Sequence, residues 1–196
     1  MAAGFMSMFG VFLLAIFNVW AAFFGMLAFL SYAFLYTPLK RISPIAITVG
    51  AFPGALPMLI GCVAFQGELT YLAFALFSIQ FLWQFPHFAS IGWLGHEDYQ
   101  KAGYKLVISK RGAQDRMTGI HSMIYALLLI PVSYIPFAIG LTGIFSLVGA
   151  IILSLGYAWF GWNLYRKNNR KAALQLMFSS FFYLPIVLAL FLIDKV

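Results

Sequence analysis

Long apolar runs separated by short polar breaks organise this chain from end to end. A membrane-spanning helix needs about 20 mostly apolar residues. Residues 44–66, 69–93, 117–138, 142–164 and 173–193 meet that requirement and predict five spans. The first run, residues 2–36, is too long for one span and breaks best at Asn18. Two short helices joined by a tight turn are expected there, which makes about seven spans in all.

The charged positions orient these spans. Lys40 and Arg41 follow the second span. Lys101, Lys105, Lys110, Arg111 and Arg116 follow the fourth, and Arg166, Lys167, Arg170 and Lys171 follow the sixth. In a seven-span alternation these breaks share one side and hold eleven of the twelve Lys and Arg residues. The positive-inside rule assigns that side to the cytoplasm. The other side receives Gln66-Gly67-Glu68, the turn around Gly140 and the tail with Lys195. Losing or adding one early helix would scatter the charges.

Composition agrees with this reading and excludes others. Hydrophobic residues make up 63% and charged residues 9%, with a mean hydropathy of +0.94. A soluble domain carries about 25% charged residues. The bilayer is therefore the solvent and a partner of most of the chain, and disorder, a collagen and a disulfide scaffold are excluded. Cys62 is the single cysteine. The net charge of +7 is concentrated in the breaks, which favours topology over nucleic-acid binding as its cause. Met1 leads directly into an apolar run, without the basic start and cleavage site of a signal peptide.

Three stretches carry candidate chemistry. In the third span, Gly50 and Gly54 are spaced for close packing, while Pro53 and Pro57 free backbone carbonyls. The stretch reads either as a packing surface or as a broken helix beside a cavity. In the fourth span, Gln80, Gln84 and His87 fall on one helical face, with Ser90 nearby. Polar groups are unfavourable in hydrocarbon, so this face should point inward, as a cavity wall or as interhelical hydrogen bonding. His87 has a ring nitrogen able to hydrogen-bond or to ligate a metal. The segment 94–116 gathers three of the five acids, Glu97, Asp98 and Asp115, among cations. Carboxylates can hold Mg²⁺ against phosphate oxygens while Lys and Arg neutralise the remaining charge. A plain solvated break explains the cations but not the clustered acids. Lys40 and Arg41 could join such a site only if their segment meets 94–116 in space. His121 and Tyr125 could face the same cavity or simply pack.

Together these stretches resemble the protoheme IX farnesyltransferase branch of the UbiA prenyltransferase superfamily. The resemblance is carried by Tyr36-Thr37-Pro38-Leu39-Lys40-Arg41, by Gly50-Ala51-Phe52-Pro53-Gly54-Ala55-Leu56-Pro57 with Gly61, by Trp83-Gln84-Phe85-Pro86-His87-Phe88, and by Asp98-Tyr99-Gln100-Lys101-Ala102-Gly103. Order and spacing match over essentially all 196 residues. It implies an all-α polytopic bundle around a central cavity, the spans here corresponding to helices three to nine of a nine-helix fold. Residues 1–196 would form one prenyltransferase-like unit. The first of the family's two acidic motifs has no counterpart, so the resemblance implies an N-terminally truncated member or a fragment, with little activity expected of it alone. The second motif keeps Asp98, with His96 where a basic residue often stands.

The implied reaction is transfer of a farnesyl group from farnesyl diphosphate to haem B, giving haem O, with Mg²⁺ as cofactor. The implied roles are Asp98, Lys40 and Arg41 in catalysis, Asp98 and Glu97 on the metal, and Tyr36, Gln80, Gln84, His87, Lys101, Lys105 and Arg111 on the substrates. Further implied partners are haem A synthase or oxidase assembly factors, in a bacterial inner membrane with the active-site segments cytoplasmic. The readings set against it are a transporter-like or non-catalytic membrane scaffold, and a prenyltransferase for another acceptor such as a quinone precursor. Transporters commonly show inverted repeats, and the Gly/Pro-rich third span has no counterpart elsewhere in the chain.

Overall fold

A computed structural model describes residues 2–104 and 114–196. Lys105, Lys110 and Arg111, expected near the phosphate, lie outside the described residues. Helix α1 (Ala2–Phe17) turns sharply at Asn18 into α2 (Val19–Leu30). A π-helical segment, Ser31–Tyr36, and the short α3 (Thr37–Leu39) continue α2. Then follow α4 (Ala46–Gln66), α5 (Tyr71–Leu94), the short α6 (His96–Lys101), α7 (Met117–Ala138), α8 (Ile144–Lys167) and α9 (Arg170–Ile193). Among the described residues there is no strand, only an isolated bridge between Thr142 and Lys195. Six helices are long and apolar enough to cross a membrane, counting Val19–Leu39 as one. The expected first span is shorter, an apolar helix over Gly4–Phe17.

Local chemistry explains the boundaries. Asn18 Oδ1 accepts from Trp20 N at 2.7 Å, capping α2, and Asn18 Nδ2 donates to Gly67 O at 3.1 Å. The two turns therefore lie at one end of the bundle. Thr70 Oγ1 caps α5 through Ala73 N, and Asn169 Oδ1 caps α9 through Ala172 N. Asn168 ends α8 in the left-handed region, with φ 42°. The start of α8 is held by the end of α9: Ser146 N donates to Asp194 Oδ2 at 2.7 Å and Gly143 N to Asp194 O at 2.8 Å. A carboxylate there also complements the positive end of the α8 dipole.

Large apolar side chains point outward around the bundle; Phe65 is 91% and Phe145 80% exposed. Such a surface needs lipid, so the chain is a multi-pass membrane protein. The main core joins α5, α7, α8 and α9 through Ile79, Leu129, Tyr157, Leu176 and Tyr183. Small residues permit its closest crossing. A Cβ added at Gly161 would stand 2.7 Å from Met123 N, and one at Gly119 2.6 Å from Gly161 O. A second cluster, with Phe24, Leu56, Leu59 and Val63, holds α2 against α4. Helix α4 runs unbroken through Pro53 and Pro57, so the broken-helix reading of this span is corrected. Helical geometry survives because flanking turns and the packed neighbours α2 and α5 hold the backbone.

Candidate active site

A cavity of about 470 Å³ opens beside α4. The π-helical segment supplies Tyr32 and Tyr36, α4 supplies Ile47, Gly50, Pro53 and Gly54, and α5 supplies Gln84, Phe88, Ile91 and Gly92. Tyr99 of α6 completes the lining. The extra backbone residue of a π turn shifts the side chains that follow it and often marks a functional site; here it precedes Thr37-Pro38 and carries both tyrosines. Gly50 and Gly54 of α4 make room for side chains rather than for a neighbouring backbone. A Cβ at Gly50 would meet the Tyr36 ring at 2.6 Å, and one at Gly54 would run into the Gln84 amide.

The two basic-end segments do meet. Lys40 Nζ lies 4.8 Å from the Tyr104 ring centroid and 5.8 Å from that of Tyr36. Tyr104 in turn lies 6.4 Å from Tyr99, a cavity residue. The spatial condition for Lys40 is thus satisfied, and a chain of tyrosines leads from its ammonium to the cavity. Arg41 is exposed beside it. Glu97 and Asp98 occupy the first turn of α6 and Lys101 its last, all three exposed.

The carboxylates fit a Mg²⁺ site only in part. Consecutive helical positions point about 100° apart, so Glu97 and Asp98 do not converge on one ion. Among the described residues no three His, Cys, Asp or Glu side chains gather as a metal site. One carboxylate per ion is nevertheless what Mg²⁺ commonly takes when substrate phosphates and water supply the remaining oxygens.

The polar stripe of α5 divides. Gln84, buried, donates through Nε2 to Ala51 O and Gln80 O, both at 3.1 Å, which fixes its amide beside the cavity. Gln80 Oε1 is buried with no hydrogen-bond partner among the described residues. His87 turns the other way, toward α9, and is not brought to the cavity wall. Its Nδ1 lies 2.8 Å from Ser180 Oγ, and its ring stacks on Trp83 at 4.9 Å. The Ser180 hydroxyl donates to Met177 O. Its oxygen therefore accepts from His87 Nδ1–H, and the neutral imidazole presents a lone pair at Nε2. Around this pair, Trp83 Nε1 donates to Ser180 O at 2.8 Å and Tyr157 Oη to Trp83 O at 3.3 Å. Tyr125 stacks on Phe85 at 4.0 Å, and His121 Nδ1 is buried with no hydrogen-bond partner among the described residues; neither residue lines the cavity.

Tyr32, Tyr99 and Tyr104 are cavity or mouth residues that the sequence reading missed. The signal was present, as two closely spaced tyrosine pairs at predicted membrane boundaries, Tyr32 with Tyr36 and Tyr99 with Tyr104.

Comparison with known proteins gives a consistent result. A model of the UbiA prenyltransferase family matches residues 1–185. Protoheme IX farnesyltransferase of Cytophaga hutchinsonii is 43% identical over 95% of this chain and 65% of its own length. The protein of the same name from Solibacter usitatus is 40% identical over 91% of this chain and 61% of its own. That of Flavobacterium johnsoniae is 38% identical over 98% and 65%. The chain thus spans under two thirds of the length of these curated relatives. A solved structure of a digeranylgeranylglyceryl phosphate synthase in membranes superposes with a TM-score of 0.80, covering 97% of this chain and 67% of that one. At 19% identity, that likeness shows the fold.

Proposed function

The chain belongs to the UbiA prenyltransferase family, and on that premise we propose that residues 1–196 are the prenyl-transfer unit of a protein that converts haem B to haem O. One observation carries the reading: an apolar, tyrosine-lined cavity whose mouth brings Lys40 against Tyr104, with the carboxylates of α6 close by in the chain. The farnesyl chain occupies the cavity, and its diphosphate sits at the basic end. Asp98 is the carboxylate through which this chain would hold Mg²⁺, with Glu97 at the adjacent position. Bound there, Mg²⁺ would neutralise diphosphate charge and make it a better leaving group.

Lys40, Arg41 and Lys101 stabilise the negative charge that develops as the C1–oxygen bond breaks. Lys105 and Arg111 belong to the same basic segment and take the same role. The cavity walls shield the allylic cation from early capture by water. Tyr36 and Gln84 position the prenyl chain, and Gln80 supports Gln84 through its carbonyl. A vinyl carbon of haem B attacks C1, and water then adds to the resulting cation with loss of a proton, leaving a hydroxyethylfarnesyl group. His87, half-buried on the α9 side outside the cavity with Nδ1–H held by Ser180, would offer Nε2 to the haem iron. The basic end faces the cytoplasm of a bacterial cell, and haem A synthase or oxidase assembly factors receive the product.

Conversion of haem B to haem O, followed by chromatography with farnesyl diphosphate and Mg²⁺, tests the reading in a protein carrying this chain. Asp98→Asn should lower turnover by at least about 100-fold, the scale of losing a preorganised electrostatic contact. Unchanged turnover in that variant would remove Asp98 from the site. Conversion of a quinone precursor in place of haem B would replace the acceptor.

A further inference from the structure

A second groove, of about 660 Å³, runs along the outside of the bundle between α8 and α9, and shares no lining residue with the cavity. Phe160, Phe178 and Phe182 wall it, and Gly156 leaves it open. Its polar side chains are Lys171, Gln175 and Ser179 of α9, together with Tyr157 and Tyr183, whose hydroxyls are hydrogen-bonded to Trp83 O and Ser154. Lys171, Gln175 and Ser179 recur every fourth residue on one face of α9. Gln175 Oε1 accepts from Asn163 Nδ2 at 3.0 Å, so the Gln175 amide keeps its N–H donors free. The Ser179 hydroxyl is already spent on Leu176 O. The donors are therefore an ammonium and an amide, one turn apart, above an apolar channel.

Four cations, Arg166, Lys167, Arg170 and Lys171, surround that end, and no acidic residue occurs between positions 116 and 193. From Lys171 to Tyr183 the groove descends about 18 Å at 1.5 Å per residue, slightly more than half of a hydrocarbon core about 30 Å thick. A cationic head, an amide donor below it and an apolar run of one-leaflet depth are complementary to one kind of molecule.

We propose that the α8–α9 groove binds an anionic phospholipid, with its phosphate at Lys171 and Gln175 and one acyl chain along Phe178 and Phe182. A zwitterionic lipid would bring its own ammonium toward the four cations, whereas an anionic one matches them.

Native mass spectrometry of the detergent-solubilised chain, titrated separately with phosphatidylglycerol and phosphatidylcholine, tests the proposal. Phosphatidylglycerol should be retained at a concentration at least about tenfold lower, given several basic side chains near its phosphate. Lys171→Gln should cut that advantage about fivefold, the effect of one cation near an anionic lipid. Lys195→Gln, at the opposite end of α9, should leave it unchanged. A Cβ at Gly156 meets no atom within 4 Å, so Gly156→Leu should fold normally, which thermal melting checks, and should block retention of both lipids. Equal retention of the two lipids by the unaltered chain would overturn the proposal. So would full phosphatidylglycerol retention in Gly156→Leu, or its complete displacement by inorganic phosphate, since either would leave surface charge without a groove-bound lipid.

Discussion

On its α4 side, α5 faces an open cavity; on its α9 side it faces a hydrogen-bonded core, with His87 half-buried at its edge. Gln84 and His87 belong to one stripe of the same helix, yet each serves a different side. On the cavity side, Gly50 and Gly54 give room to the Tyr36 ring and the Gln84 amide, both of which line the cavity. The closed side is locked by Gly119 and Gly161, which let α7 and α8 touch through their backbones. Glycine therefore seats cavity-lining side chains in α4 and permits backbone contact between α7 and α8. The neighbouring atom decides which role holds: a side chain can yield, a backbone cannot.

The sharpest way to break this comparison is to fill both kinds of glycine. Gly161→Leu drives new atoms into the Met123 backbone, and overpacking that forces a backbone shift costs about 3 kcal/mol or more. That variant should fail to give monodisperse, cooperatively melting protein in detergent. Gly54→Ala asks only that the Gln84 amide move, so it should melt near the parent temperature while losing prenyl diphosphate binding. Equal melting temperatures for the two variants would erase the distinction.

Haem binding separates the sides next. His87→Ala should abolish the Soret shift expected of axial ligation. Ser180→Ala removes the acceptor that fixes the Nδ1–H tautomer. Loss of such an outer partner typically weakens a metal–histidine site about 10- to 100-fold. Neither variant should change the KM for farnesyl diphosphate. A parent-like haem titration in both variants would return His87 to a purely structural hydrogen bond.

The mouth of the cavity should give the converse pattern at smaller scale. Lys40 is poised over Tyr104 and Tyr36, and a cation–π contact at an exposed site contributes about 0.5–1 kcal/mol. Tyr104→Ala should raise the KM for farnesyl diphosphate about two- to fivefold with haem affinity untouched. An unchanged KM would detach Tyr104 from the phosphate-binding end.

The helices themselves were legible because bilayer thickness sets their length. The spans expected at 117–138 and 173–193 became Met117–Ala138 and Arg170–Ile193, and the break at Asn18 is a cap that a single residue type announces. The division of the α5 stripe was not legible. Periodicity gives the direction of a Cβ, but Gln84 and His87 are long enough to reach opposite neighbours, and only the positions of Ala51 and Ser180 decide between them. The π-helical segment was hidden as well, since Ser31–Tyr36 is as apolar as an ordinary helix and its extra residue follows from packing. The meeting of Lys40 with Tyr104 joins residues 64 positions apart, and nothing local in either segment encodes that.

The smallest expected effect lies deep in the closed core. The Ser154 hydroxyl donates to Ala150 O at 2.7 Å, so across its 2.9 Å contact with Tyr183 it is the acceptor and Tyr183 the donor. Tyr183→Phe removes that bond. The ring keeps its stacking on Tyr157, at 5.3 Å and 28°, and Ser154 keeps its own acceptor. Interhelical hydrogen bonds in membrane proteins average about 0.6 kcal/mol, because helices apart in the bilayer also find polar partners. A double-mutant cycle of Tyr183→Phe with Ser154→Ala should therefore return a coupling of about 0.6 kcal/mol, with melting shifts of about 1–3 °C for a chain of this length. A coupling above about 2 kcal/mol would exceed the largest values usual for such bonds, and would mean that hydrogen bonding rather than packing holds the closed side. A coupling of zero would leave close packing alone to separate the core from the cavity, with the Tyr183 hydroxyl contributing no net stability.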